Sequence, residues 1–573
     1  MGTSGDRKGY KIFSINTTVR NPKRNTDFLR YFKPYNGMLF TDNIAHSYFF
    51  DLVRYGVYRL TDIPESVKEK IDNGEKLTDS EATQAISDNP QATGLYGRVM
   101  TQLRAMKDQG FLMFEPIQRG VNKISLTPLG EQLVDGHTDA TIVYTKAMIG
   151  MHANSPIRLT LLNRSRPFLN TLFVIREVKQ QWEKLGNEAK GILKHEFAVF
   201  VLSMKDCDYH SAAHDIIEYR NKFKYEVNKP YLHEYMSKKG ILPLADNSIF
   251  NDYPDEVFRK FEMTGLIVKR GAYQYTYFDY STYNLEKIES ILNEYKDYQF
   301  IEFNNQAEYY EYLGSVSIPW QKNELVRRKI IESKAKILKM TLDPSLTLEE
   351  QEFQLDRVFY SHTLNKAIQK YTLALINKEL LILSGTVKAK SHFDDISEPL
   401  RLEYLLALLL GKKYGTKGLV SNIIYNEDGA PLHFAPSGKC DLIFYSEDGS
   451  FILEPTMQRG RTQILNSETS NVARHVKDEM AETGLQYRAM MIAPRVHPDV
   501  VSFFQFTISK NEVKIAPLNI DRTVGLFHDS DDIKSLGLNF DSIVEDLKQL
   551  DETSYADKMN NYNAERLVTE NME

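Results

Sequence analysis

Cysteine is nearly absent: among 573 residues only Cys207 and Cys440 carry thiols, and they stand far apart with no ligand spacing. That excludes a disulfide framework and a zinc ribbon, and suits a reducing, cytoplasmic setting. Long apolar runs are lacking as well. The longest, at 405–410, is far shorter than the ~20 residues that cross a bilayer, and the opening MGTSGDRKGYKIF has no apolar stretch of signal-peptide length, so a soluble chain with no membrane partner is expected. An excess of positive charge is missing too, with 71 Lys and Arg against 77 Asp and Glu and a net charge of −6. This excludes a chain that grips any polyanion through a general cationic coat, yet local basic stretches can still hold phosphates. The remaining composition, 42% hydrophobic and 26% charged, is that of a globular chain long enough for several cores.

Three stretches carry the donors that suit phosphates and base edges. The first, SINTTVRNPKRNTD at 14–27, gathers Arg20, Lys23 and Arg24 around a proline that prevents a continuous helix; a solvated polar arm is the plainer reading. In the second, Leu95, Val99, Leu103 and Met106 repeat at helical spacing and Gly110 stops the helix. Two strands around an Arg119-Gly120 turn follow, and Thr127-Pro128 opens another helix. Helix, hairpin and helix is the winged-helix order, with Arg98, Thr101, Gln102 and Lys107 expected on the outward side of the first helix, as a recognition helix would have them. The pattern returns at 256–277, where Lys269 and Arg270 sit at a hairpin tip; a structural brace is the alternative there. A helix-rich, charged stretch from about 321 to 381 reads as a linker.

The segment GKCDLIFYSEDGSFILEPT at 438–456 holds two alternating apolar runs around a Glu-Asp-Gly turn, a hairpin signal. A loop at 446–449 pairs Tyr445 with Ser450 and sets Asp441 opposite Glu454; a shorter loop shifts the pairing by two, so both registers keep the two carboxylates on one face. Directly paired, their β-carbons would lie ~5 Å apart and the charges would repel. A divalent cation offsets that, and hard oxygen ligands on adjacent strands suit magnesium (Mg2+). Glu403 sits on the strongly apolar helix EPLRLEYLLALLLG, where a carboxylate needs a partner and a position near the metal supplies one; an exposed stripe with Arg401 is the alternative. Downstream, Glu468, Asn471 and His475 share a helical face that could meet the hairpin carboxylates, while Arg459 and Arg461, in the loop before it, suit phosphate contact. Two short apolar strands, at 489–494 and 514–518, complete an α/β core.

Taken in order, Glu403 on an apolar helix, Asp441 and Glu454 on a hairpin, then Glu468 with Arg474-His475 resemble the PD-(D/E)xK nuclease core, and more narrowly the AlwI-type Type IIS restriction endonucleases and their relatives that nick one strand. The INTTVRNP opening at 15–22 resembles the start of the same group. The resemblance implies a bacterial, cytoplasmic enzyme that binds a short asymmetric site in double-stranded DNA and hydrolyses phosphodiester bonds at a fixed distance from it with magnesium. Asp441, Glu454 and Glu403 would form the metal site, supported by Glu468 and His475. One departure stands out: Thr456 occupies the position two after Glu454 where many such nucleases carry lysine, leaving Gln458 and Glu468 as candidates to activate water. A strand-specific nicking enzyme, the large subunit of a heterodimeric restriction enzyme, a repair or defence nuclease, and a winged-helix regulator with a degenerate nuclease domain are the alternatives. A second strand would be cut through a transient homodimer or a small nuclease subunit. The expected fold is multidomain α+β: an N-terminal recognition region with a winged helix at 1–150, a second winged-helix-like region at 151–310, a helical linker at 311–385, a C-terminal α/β PD-(D/E)xK nuclease domain at 386–530 and an acidic helical tail at 531–573.

Overall fold

The computed structural model describes residues 9–16, 21–58, 60, 63–64, 67, 70, 77–89, 94–118, 120–271, 275–394, 396–434, 440–461, 464–511 and 513–564. The chain forms two compact units, one of Met1–Tyr48 with Gly94–Leu355, the other of Phe49–Thr93 with Asp356–Glu573. None of the helices among the described residues is long and apolar enough to cross a membrane.

In the first unit, strand β1 (Met38–Phe40) lies at one edge of a three-stranded antiparallel sheet whose other members are a hairpin. Helix α1 (Leu95–Asp108) leads into that hairpin, β2 (Leu112–Gln118) and β3 (Val121–Leu126), and helix α2 (Pro128–Asp135) follows. The expected order of elements is present for the reasons the sequence offers. Leu95, Val99, Leu103 and Met106 are buried on one side of α1, Gly110 takes the left-handed φ of +91° that ends it, and the Thr127 hydroxyl accepts from the Gly130 amide to cap α2. The second copy also forms its elements. Helix α3 (Tyr253–Glu262) stops before Gly265, φ +68°, and strands β5 (Ile267–Arg270) and β6 (Tyr277–Tyr280) pair antiparallel, with β4 (Ile192–Leu193) on the far side of β6.

The opening segment differs from a solvated arm. Ile12, Phe13 and Ile15 are buried, the Phe13 amide donates to the Leu202 carbonyl, and the buried Asn25 amide donates to Gln109 and to the Tyr144 hydroxyl, each at 2.9 Å. Burial of Ile12, Phe13 and Ile15, together with these hydrogen bonds, explains why the segment packs.

The second unit is built on a five-stranded sheet in the order β13-β12-β11-β10-β7: β7 (Leu419–Ser421), β10 (Leu442–Phe444), β11 (Ser450–Pro455), β12 (Tyr487–Ala493) and β13 (Lys514–Asn519). A separate pair, β8 (Ile423–Tyr425) and β9 (Pro431–Phe434), stands apart from it. Strands β11, β12 and β13 run parallel, while β10 is antiparallel to both its neighbours. The parallel steps are bridged by helices α6 (Thr469–Thr483) and α7 (Pro498–Asn511), and with helices covering the sheet its inner strands are apolar nearly throughout. Two boundaries need correction. Helix α4 (Leu373–Ser384), read as part of the linker, buries Ile376, Leu380, Leu381 and Leu383 in the same core as the sheet and as helix α5 (Glu398–Tyr414). The stretch read as an acidic tail holds helices α8 (Ile533–Gln549) and α9 (Glu552–Asn560), whose Leu536, Phe540, Ile543, Leu547, Tyr555 and Met559 enter that core too. Their acidic residues face outward, so overall composition hid an amphipathic stripe.

Candidate active site

The hairpin of β10 and β11 takes the register expected from the longer loop. Leu442 pairs with Leu453, Ile443 with Ile452 and Phe444 with Phe451, so the next positions along are Asp441 and Glu454. The loop closes by a Gly449 amide to Ser446 carbonyl bond of 3.2 Å. Gly449 has φ +134°, and a β-carbon there would stand 2.6 Å from Arg488 Nη1, which explains the glycine. Beyond the last pair, the Asp441 carbonyl accepts from the Asn422 amide at 2.8 Å, and the Thr456 amide donates to the Ile492 carbonyl, also at 2.8 Å. Backbone therefore fixes Asp441 to the Asn422 amide and Glu454 in register with Met491 of β12.

Helix α5 brings Glu403 to the pair. It is 6% exposed, with leucines and tyrosines buried around it, and its Oε2 has no hydrogen-bond partner among the described residues. The exposed-stripe alternative fails: Arg401 is also buried, donating to the Phe393 carbonyl at 3.3 Å. Burial, then Asp441 and Glu454, push the Glu403 carboxyl well above the usual carboxylate range. Asp441 keeps a rim of solvent contact, but enclosure, then Glu454 and Glu468, likewise push it well up. The charged groups acting on these two acids are all acidic.

Helix α6 supplies the counterweight. His475 Nδ1 lies 3.3 and 3.4 Å from the two Glu454 oxygens, and the hydrogen bond to Glu454 raises the imidazole's pKa. Preceding α6, a π-helical turn, Ile464–Glu468, ends at Glu468, which accepts from Gln458 Nε2 at 2.7 Å; the Gln458 amide in turn donates to the Thr456 hydroxyl at 3.1 Å. Asn471, on the same expected face, is exposed and accepts from Arg474 at 3.2 Å. Two neighbours escaped the sequence reading. Cys440 donates its thiol to the His475 carbonyl at 3.7 Å, and Tyr425, whose hydroxyl lies 2.7 Å from that of Ser421, is pushed up by burial and further by Glu403. Adjacency to Asp441 could have flagged the first; nothing local marks the second.

These groups fit a divalent cation through the Asp441–Glu454 pair: facing carboxylates, repelled by further acids, beside a buried oxygen without a partner. Glu403 as the third ligand is a correction. Among the described residues no three of His, Cys, Asp and Glu form a ligand set, and what links Glu403 to the pair is electrostatic coupling. An open site with two carboxylates is how magnesium is commonly held, the remaining positions going to water and phosphate.

The expected DNA contacts divide. Arg459 is 5% exposed and donates to the Leu383 carbonyl at 2.8 Å, so it braces the loop and cannot meet a phosphate. Arg461 is exposed and paired with Asp499. Gln102 is buried, facing the core side of α1 between Val99 and Leu103. Arg98 and Thr101 are partly exposed, with the Thr101 hydroxyl donating to the Gly97 carbonyl, and Lys107 leans over the Phe114 ring, 5.5 Å from its centroid. Lys269 is exposed and Arg270 partly so, on β5. Lys23 is partly exposed, and the exposed Arg24 guanidinium stacks 4.8 Å from the Phe28 ring centroid. Arg20 lies outside the described residues.

The model of a family described as AlwI restriction endonuclease matches residues 108–526. Among solved structures, the small subunit (R.BspD6I2) of the heterodimeric restriction endonuclease R.BspD6I is similar at 18% identity, covering 34% of this chain and 97% of that one with a TM-score of 0.26. Restriction endonuclease FokI is similar at 10% identity, covering 96% and 99% with a TM-score of 0.22. No curated protein matches the chain.

Proposed function

Because this chain belongs to the AlwI restriction endonuclease family, we propose that it is a Type IIS enzyme, reading a short asymmetric site in duplex DNA with its first unit and hydrolysing phosphodiester bonds at a fixed distance from it with the second. The observation that carries the reading is the register of the β10–β11 hairpin, which sets Asp441 and Glu454 opposite each other. The nuclease reading corresponds to a PD-(D/E)xK core, and the helix-hairpin modules of the first unit to winged helices.

Asp441 and Glu454 would hold magnesium, which when bound supplies positive charge to the reacting phosphate and acidity to a water. The chain's own residues do the rest. His475 Nδ1, 3.3 Å from a Glu454 oxygen, would fix that carboxylate's orientation. Glu403, whose carboxyl is pushed up by burial and then by Asp441 and Glu454, is electrostatically coupled to the pair, and a cation there would relieve that coupling. Glu468, tethered by Gln458 beside Asp441, is the group we assign to accept the proton of the attacking water, since Thr456 stands where lysine is common. One such site cuts one strand; a double-strand break needs a second copy of this chain or a further nuclease subunit.

The test is Asp441→Ala and Glu454→Ala with plasmid DNA and magnesium. Each should abolish cleavage while specific binding, measured by mobility shift, is kept. Wild-type protein that only shifts the DNA, or variants that still cut, would remove the hydrolytic reading. Nicked circles against linear product separate single-strand from double-strand cleavage.

A further inference from the structure

The outward face of α1 is built in a way its own unit does not require. Gly97 is exposed and helical, and a β-carbon placed on it would meet nothing within 4 Å. Neither backbone conformation nor internal packing therefore calls for glycine, the poorest helix former after proline. Along the same stripe, at i+4 and i+7, come Thr101, partly exposed, and Arg104, exposed. No described residue takes the Arg104 guanidinium in a hydrogen bond or ion pair. The helix has no acidic residue in its first turn, and its one acid, Asp108, is its last residue, in a chain whose net charge is −6. The hairpin stands beside the same end, because the Tyr96 hydroxyl donates to the Gly120 carbonyl at 3.1 Å.

We infer that this face is where the enzyme reads its site: Gly97 marks the closest approach of α1 to the floor of the DNA major groove, and Arg104, about 10 Å further along the axis, is a specificity-determining residue that contacts a base edge. The missing side chain gives the room that an alanine methyl would fill, and an exposed arginine at helical reach, acted on electrostatically by Asp108, Tyr96 and Lys107, is the donor fork that pairs with guanine O6 and N7. A cationic face with its small residues at the centre suits a duplex better than a protein surface, which would bury larger apolar groups there. The inference rests on the site-reading function proposed for the first unit, and replaces Gln102, which the fold turns inward, with Gly97 and Arg104.

The experiment uses the full chain. Run-off sequencing of DNA cut by the wild type first defines the site; a chain that cuts nothing, or cuts without sequence preference, fails on the earlier reading and not on this one. Given a site, Gly97→Ala should melt about 2–4 °C higher, as an exposed helical glycine replaced by alanine does, yet bind the site duplex at least about tenfold more weakly with its affinity for random DNA unchanged. Arg104→Gln should relax the preference at one base position about ten- to a hundredfold, while Arg104→Lys recovers part of it. Opposite movement of stability and site affinity is something a structural role does not produce. Site affinity and base preference equal to wild type in both Gly97→Ala and Arg104→Gln would overturn the inference, and since Arg104 is exposed, its variant decides even where the glycine variant folds poorly.

Discussion

Replacing Asp441 by asparagine should make the metal-free protein more stable while ending its activity. The register sets Asp441 against Glu454, and two unit charges ~5 Å apart at an effective dielectric of about 20 repel by about 3 kcal/mol. That is an upper bound, since a shared proton relaxes it, and about 1–3 kcal/mol is the working range. The Asp441 carboxyl is held above its ordinary value in the folded state, so between the unfolded and folded pKa the folded protein binds the extra proton. Stability of the metal-free wild type therefore falls as pH rises from about 4 through the raised folded value. The amide of the variant has no such proton to lose, and thermal melts in chelator should show Asp441→Asn ahead of wild type by several degrees at about pH 8, at 2–4 °C per kcal/mol for a unit of roughly 250 residues. The advantage should shrink toward about pH 5. Magnesium should raise the wild-type melting point and leave the variant's unmoved. A variant that melts below wild type at every pH would refute the reasoning, because the two carboxylates would then be stabilised by something other than a cation.

His475→Ala should behave in the opposite sense. The imidazole's pKa is raised by its bond to Glu454, so its stabilisation is full below the ordinary histidine value and fades as pH rises through the folded one; melts in chelator should show the variant's deficit at about pH 6 and little of it at about pH 9. Arg459→Ala should lower stability by about 2–3 kcal/mol through loss of a buried charged hydrogen bond, whereas Arg461→Ala, exposed and ion-paired, should leave the melt within about 0.5 kcal/mol and flatten the salt dependence of DNA binding by about one ion. Chemical denaturation and a salt titration distinguish them. Ile543→Ala, in the segment read as a tail, should cost about 2–5 kcal/mol by urea titration if that helix belongs to the core.

Much of the site was legible because its signals are local. Period-two alternation with a Glu-Asp-Gly turn fixes which residues of a hairpin share a face, so Asp441 and Glu454 could be put on one face from spacing alone, while the register between two loop lengths was left to the fold. The order of helix, hairpin and helix was legible for the same reason, since helical spacing, glycine stops and a threonine cap act within a few residues of themselves. Inward and outward are harder at the margin of a helix. Gln102 lies between Val99 and Leu103, and only the packing of neighbouring elements decides how wide the buried stripe of α1 becomes.

Local pattern was enough to settle the main elements, the common face of two acids across one turn and the family to which the order of residues belongs. Which distant groups surround that pair was settled only when the chain closed: Glu403 from one helix, His475 from another, Glu468 from the turn before it, Arg459 turned inward to hold a carbonyl. Membership of the last helices in the core was settled at the same stage. The difference is one of range. Alternation, capping and turn chemistry act over a few residues and leave their mark in the local pattern, whereas burial and electrostatic coupling depend on which surfaces meet after closure, and an arginine or a glutamate reads the same in either environment until then.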